Sequence, residues 1–176
     1  MTLSAPAGVV RPESKLSNAE VLFTAHRQGV FRYLTRIVGH ADAANDLTQE
    51  VFLRVTRAGL PETDADGERA WVFRIARNLG LNFLRDGARR PATPMPLHYV
   101  EPSSAPTQEL SVVLAEALAA LADIDRDVFL MREIGGLSYD EIASACDLTT
   151  TAVRSRLHRA RQQLREALAP ALRQTP

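Results

Sequence analysis

Residues 137–168, LSYDEIASACDLTTTAVRSRLHRARQQLREAL, couple a short capped helix to a longer basic one, and that pairing decides the fold. Ser138 is followed three positions later by Glu141, the spacing of a capping box: the hydroxyl accepts from the Glu141 amide while the carboxylate reaches back to the Ser138 amide. A helix therefore starts here, with Ile142, Ala143 and Cys146 facing inward and Ala143 small enough for a second helix to cross closely. Asp147 stands where the chain must turn, and Asp tolerates the left-handed conformation better than most residues. Thr149 or Thr150 then caps the next helix. Val153, Leu157, Ala160, Leu164 and Leu168 recur every three or four residues, leaving Arg154, Ser155, His158, Arg159, Arg161 and Arg165 for the other faces.

This is the outline of a helix-turn-helix presented to duplex DNA. A solvated amphipathic helix would carry the same arginines for solubility alone, but the capped helix and tight turn before it favour the DNA reading. The arginine fork binds phosphate, or guanine O6 and N7, with two hydrogen bonds. Phosphate contacts position such a helix, and base-edge contacts specify its site.

The chain has 176 residues, 45% of them hydrophobic and only 6% aromatic, enough for one ordinary domain or two small helical ones. No stretch shows sustained strand alternation, so the expectation is an all-α protein of two small helical domains. The formal net charge is zero, but it is distributed in blocks. Between 42 and 68 seven acids face Arg54 and Arg57, and between 70 and 90 five arginines face Asp86. Between 101 and 148 ten acids face Arg126 and Arg132, and from 150 onward six arginines face Glu166. Basic blocks suit phosphate backbones and acidic ones suit basic protein partners.

Cys146 is the single cysteine, which excludes an intrachain disulfide and a cysteine-based metal cluster, and its expected role is that of a small buried apolar residue. His26, His40, His98 and His158 lack ligand spacing, so neither metal nor cofactor is expected. There is no phosphate-binding glycine loop or nucleophile motif, which leaves an enzyme without support. No apolar run approaches a membrane span, and residues 1–15 lack the pattern of a signal peptide, so the expected location is the cytoplasm.

Residues 1–15, rich in small residues and proline, read as a disordered tail. A first unit over 16–90 opens with Leu22, His26, Val30, Leu34, Ile37 and Val38 along one side of a helix that Gly39 ends. A second helix from near Ala41 carries Leu47, Val51 and Val55 inward until Gly59 and Pro61 stop it. Residues 61–67, PETDADG, read as an acidic loop, and a third helix is expected over 68–86. Five prolines within 91–107 exclude a continuous helix and predict a flexible, extended linker. The second unit, 108–173, opens with Leu110, Val113, Leu114, Ala117, Leu118 and Leu121, adds a helix over 125–134 closed by Gly135 and Gly136, and ends in the helix-turn-helix.

The third helix differs chemically from the last. Val72, Ile75, Ala76, Leu79 and Phe83 make its inner side, while Trp71, Arg74, Asn78, Asn82 and Arg85 share another face at helical spacing. An aromatic ring, amides and guanidinium groups together can stack unpaired bases, hydrogen-bond to them and hold the backbone. Trp71 as plain core is the competing reading, and it leaves the remaining residues of the face in place.

DLTQEVFLRV at 46–55, WVFRIARNLGLNFLR at 71–85 and VFLMREIGGLSYDEIASACDLTTTAVRSRLHRARQQLREAL at 128–168 resemble, in family order, segments of bacterial sigma-70 family factors of the extracytoplasmic-function (ECF) group. The resemblance implies a dissociable initiation subunit of RNA polymerase. Its region 2 domain would dock on the β′ clamp helices and recognise and melt the −10 element. Its region 4 domain would read the −35 element and touch the β flap. Carried onto this chain, the resemblance puts Asp46, Gln49, Glu50 and Phe52 at the polymerase contact. It turns Trp71, Arg74, Arg77, Asn78, Asn82 and Arg85 to the −10 element, and Thr150, Thr151, Arg154, Ser155, Arg156, His158, Arg159 and Arg161 to the −35 element. It also implies an anti-sigma factor as a partner. Residues 61–68, PETDADGE, depart from the family pattern, which often has a phenylalanine and basic or neutral residues there. A stand-alone helix-turn-helix regulator is the alternative, and it gives the 46–55 motif and the Trp71 face no purpose.

Overall fold

A computed structural model describes residues 12–59, 64–89 and 108–173. Among them the chain forms seven helices: α1 (Pro12–Val38), α2 (Ala41–Ala58), α3 (Ala65–Arg89), α4 (Gln108–Ala120), α5 (Asp123–Glu133), α6 (Tyr139–Cys146) and α7 (Thr150–Arg173). The all-α expectation holds. The linker expected over 91–107 and most of the expected tail lie outside the described residues, while α1 begins at Pro12, a residue pre-organised for the first turn of a helix.

In the N-terminal unit α1, α2 and α3 pack on one another. Leu22, Val30, Leu34, Ile37 and Val38 of α1 are buried as the periodicity requires, against Val51 and Val55 of α2 and Val72, Ala76 and Leu79 of α3. His26, Ile75 and Phe83 are half-buried. Gly39 and Gly59 end the first two helices at φ 79° and 74°, in the left-handed region that glycine enters without cost. α3 starts three residues earlier than expected, at Ala65, because the Asp64 carboxylate accepts from the Gly67 amide at 2.8 Å and so caps it. Part of the expected acidic loop is therefore the first turn of α3, where acids complement the helix dipole.

In the C-terminal unit α7 packs across α4, α5 and α6. α5 also begins earlier than expected, at Asp123, with Asp123 and Asp125 in its first turn. Val153, Leu157, Ala160 and Leu164 of α7 are buried, with Leu168 half-buried at the end of the stripe.

The two units do not stand apart. α3 packs against α6 and α1 against α5, and the buried apolar residues of both form one continuous core. Phe73 of α3 and Tyr33 of α1, outside both expected inward stripes, are about 1% exposed because the C-terminal unit covers them. Their rings meet edge to face at 5.8 Å. At Gly135 a Cβ would lie 2.8 Å from the Phe73 ring, 2.9 Å from Leu137 and 2.7 Å from the Met131 carbonyl, so only glycine permits this approach.

Candidate nucleic-acid interface

The capping box forms as the sequence requires: Glu141 N donates to Ser138 Oγ at 3.2 Å, and Ser138 N donates to Glu141 Oε2 at 2.6 Å. Asp147 adopts φ 55°, ψ 47°, the left-handed turn expected of it. Thr149 rather than Thr150 caps α7, accepting from the Ala152 amide at 3.2 Å. Thr150 instead donates to Asp140 Oδ1 at 2.7 Å and ties the start of α7 to α6.

The eight α7 residues carried over to the −35 element divide by environment. Thr151, Arg154, Ser155, His158 and Arg159 are exposed along the N-terminal half of the helix. Arg156 turns inward, donating to Asp125 Oδ1 at 2.7 Å, with Arg159 3.7 Å from the other carboxylate oxygen. Asp125 is buried, so Arg156 neutralises a charge that α5 carries into the core. Arg161 donates to Glu133 at 2.7 Å, which together with Tyr139 raises its pKa further. Arg132 lies over the Tyr139 ring at 5.3 Å and donates to the Leu137 carbonyl, bracing the approach to α6. Gln162 and Arg165 join Arg154, His158 and Tyr139 around one cleft; the sequence reading missed Gln162 although it lies one turn beyond His158.

On α3, Trp71 is half-buried against the core while Asn78, Asn82 and Arg85 are exposed, with Arg85 hydrogen-bonded to Asn82. Arg74 and Arg77 are occupied by the C-terminal unit. Arg74 donates to the Ser144 carbonyl and, at 3.1 Å, to Asp147. Arg77 Nε donates to Asp127 Oδ2 at 2.7 Å, and Tyr33 donates its hydroxyl to Oδ1 at 3.2 Å. One turn before Arg74, Arg69 makes two hydrogen bonds of 2.5 Å to Glu141.

Burial sets the ionisation of this junction. It pushes the Asp127 carboxyl above its ordinary pKa despite Arg77 and Tyr33. Burial, reinforced by Asp127, pushes the Tyr33 hydroxyl well above its own. Burial also works to raise Glu141, but hydrogen bonds from Arg69 and Ser138 outweigh it and hold that group low. His26, half-buried beside Arg69 and Glu141, is held below its ordinary pKa by burial and then by the Arg69 charge. The Cys146 thiol, 3.6 Å from the Met131 sulfur, is pushed up to about 11 by burial, which keeps it protonated and unreactive. The pairings of Arg69 with Glu141 and of Arg77 with Asp127 carried no signal in sequence, because they join residues 72 and 50 positions apart.

The α2 surface is a third patch. Asp46 and Gln49 are exposed, and Glu50, half-buried, accepts from Arg54 at 2.8 Å. Phe52 belongs to the core: it is 6% exposed and meets Phe23 at 5.0 Å, ring edge to ring face. The apolar residue that α2 presents outward is Leu53, half exposed beside a groove shared with Phe23, Thr24, Gln49 and Thr56. Its signal was a leucine off the Val51–Val55 stripe. Among the described residues no group of His, Cys, Asp and Glu could hold a metal ion, and no helix is long and apolar enough to cross a membrane.

An all-α chain with a helix-turn-helix in its C-terminal unit and an amide- and arginine-bearing helix face in its N-terminal unit defines a two-domain DNA-directed factor. Residues 22–90 match the family described as Sigma-70 region 2, and residues 111–164 match Sigma-70, region 4. The ECF sigma factor SigL of Mycobacterium tuberculosis is 31% identical over 170 residues, covering 92% of this chain and 94% of SigL. SigE of Mycolicibacterium smegmatis is 33% identical over 165 residues, covering 89% of this chain, which spans 64% of the length of SigE. Among solved structures, CnrH in complex with the cytosolic domain of CnrY matches with a TM-score of 0.65 at 25% identity, covering 91% of this chain and 92% of that one. The chain belongs to the ECF group of the sigma-70 family of RNA polymerase sigma factors.

Proposed function

We propose that this chain binds core RNA polymerase and directs it to promoters, reading the −35 element with α7 and recognising and melting the −10 element with α3. The observation that carries the reading is the exposed side of α7, where Thr151, Arg154, Ser155, His158 and Arg159 stand on a braced helix-turn-helix. Arg154 and His158 supply base and phosphate contacts, with Arg165 beside the same cleft and Arg161 and Arg156 held closer to the fold. On α3, Asn78 and Asn82 offer amides to flipped bases while Trp71, Arg74, Arg77 and Arg85 support stacking and backbone contacts.

Asp46, Gln49, Glu50 and Leu53 form the surface for the β′ clamp helices, with Phe52 fixing it from beneath. The β flap is assigned to the C-terminal unit. The chain acts in the cytoplasm as a factor rather than a catalyst. Its regulation falls to an anti-sigma factor, a reading supported by the fold shared with the Bartonella quintana sigma factor RpoE, whose structure is a complex with the anti-sigma factor NepR.

Reconstitution with core polymerase tests this. Run-off transcription from a genomic promoter library, dependent on the added chain, is the expected result. Tight binding to duplex DNA with no association with core enzyme overturns it in favour of a stand-alone regulator.

A further inference from the structure

The α1–α2 surface carries exposed apolar side chains ringed by charges that have no partner within the fold. Phe23 is 37% exposed although its ring is braced on Phe52 at 5.0 Å, and it shares one groove with Leu53, which is half exposed. A second groove, also bordered by Phe23, is lined by Arg27, Gln28, Phe31 and Asn45. Phe23 is therefore a ridge between two hollows. Around it Glu20, Arg27, Asp46 and Arg57 are exposed and make no ion pair among the described residues. Arg27 lies over the Phe23 ring at 5.4 Å, and Glu50 holds Arg54.

These charges are ordered. Both helices carry an acid three positions before the apolar residue and an arginine four positions after it: Glu20, Phe23 and Arg27 on α1, and Glu50, Leu53 and Arg57 on α2. At that spacing each set lies along one side of its helix. The helices run antiparallel, because Glu20 borders the same groove as Thr56 while Arg27 and Phe31 border the one reached by Asn45. One end of the face thus pairs Glu20 with Arg57, and the other pairs Arg27 with Asp46 and Glu50, so its four corners alternate in sign.

A two-fold interface requires a surface that complements itself. An axis lying in this face, crossing the helices at Phe23 and Leu53, lays α1 of one copy antiparallel on α1 of the other. Glu20 of each copy then meets Arg27 of the other, Arg57 meets Asp46 and Glu50, and the Phe23 and Leu53 centres cover one another. We propose that two copies of the free chain pair through this α1–α2 face, in a dimer that core polymerase displaces. The segment from Ala19 to Phe31 is about 18 Å long, and a patch of that size gives weak, reversible association. The displacement rests on the reading given under Proposed function, which places Asp46, Gln49, Glu50 and Leu53 against polymerase; the pairing itself does not.

The test uses the full chain with one charge reversed, Glu20→Arg or Arg27→Glu. Both positions are exposed on α1, outside the surfaces proposed for DNA and polymerase, and circular dichroism checks that helicity is kept. Sedimentation velocity at low ionic strength, over a concentration series, is expected to show wild type in monomer–dimer exchange. Each variant alone is expected to dimerise about tenfold more weakly or worse, because like charges then face one another, and added salt weakens the wild-type dimer. An equimolar mixture of the two variants is expected to recover wild-type association, since both contacts between positions 20 and 27 again join unlike charges. A wild-type chain that stays monomeric to near-millimolar concentration overturns the proposal. A dimer indifferent to both reversals, or variants that fail to complement each other, does the same. Core polymerase titrated into labelled wild-type dimer is expected to take up single chains, and core that binds the dimer intact overturns the displacement. Failure of wild type to bind core at all counts against the sigma activity instead, and sedimentation still decides the pairing.

Discussion

Arg77 and Asp127, 50 residues apart in the chain, meet through a 2.7 Å hydrogen bond that joins α3 to α5, and Asp127 has no exposure to solvent. A buried carboxylate costs stability unless it is paired and hydrogen-bonded. Here both partners, Arg77 and Tyr33, come from the opposite unit, so Asp127 is satisfied only while the units stay together. Tyr33→Phe removes one of those two bonds and leaves the ring packing intact. The expected loss is about 1 kcal/mol of global stability, read as a lower urea midpoint at unchanged slope. An unchanged midpoint contradicts the role given to the hydroxyl.

Arg154 and Arg156, two positions apart, are expected to behave oppositely. Arg154 is exposed and forms no hydrogen bond or ion pair with the described residues, whereas Arg156 neutralises buried Asp125. Arg154→Ala weakens −35 binding by about 1–3 kcal/mol with little change in melting temperature. Arg156→Ala leaves Asp125 with only the longer Arg159 contact and costs about 1–3 kcal/mol of fold stability. Duplex binding and thermal unfolding measured side by side check both, and equal melting losses for the two variants refute the division.

Leu53 and Phe52, adjacent on α2, separate in the same way. Leu53→Asp puts a charge at the exposed apolar point of the polymerase surface and is expected to abolish core association while helicity and melting temperature hold. Phe52→Ala removes a buried ring and costs about 3–5 kcal/mol of stability. Co-purification with core enzyme, paired with thermal melts, separates a lost contact from a lost fold. Full association by Leu53→Asp removes that residue from the surface.

Local features of the fold were legible in sequence because neighbouring residues determine them. The Ser138–Glu141 box, the Asp147 turn, the Gly39 and Gly59 stops and the α7 stripe each depend on residues within a few positions of one another. Contacts across the chain were not legible in the same way. Arg156 has the spacing of a surface residue and becomes internal only because Asp125 lies under it. Phe73 and Tyr33 fall outside their helices' stripes and are buried by a second unit whose approach no periodicity records. The acidic block at 101–148 suits basic protein partners by its charge, yet Asp125, Asp127, Glu141 and Asp147 within it pair with this chain's own arginines.

Asn78 is exposed on α3 and makes no hydrogen bond among the described residues, which suits a side chain held for an unpaired base. Asn78→Ala is expected to leave the closed promoter complex nearly intact and slow DNA melting, because its amide acts only once bases leave the stack. Permanganate reactivity of −10 thymines, followed over time with core polymerase present, measures this directly. Footprints matching wild type in extent and rate exclude Asn78 from melting.

His26 provides a pH-dependent check on the junction. Its pKa lies below the ordinary value of 6.5 because burial and Arg69 disfavour the imidazolium, with Glu141 opposing them more weakly. In the unfolded chain it recovers its ordinary value, so between the two values unfolding takes up a proton. The stability that neutral His26 preserves is complete above pH 6.5 and is lost as pH falls toward the lowered folded value. One proton limits the slope to about 1.4 kcal/mol per pH unit. His26→Gln cannot titrate, so the difference in urea midpoint between wild type and variant is expected to change between pH 7.5 and 5.5, with wild type losing more. Parallel midpoints across that range show that His26 ionises equally in both states and does not feel Arg69.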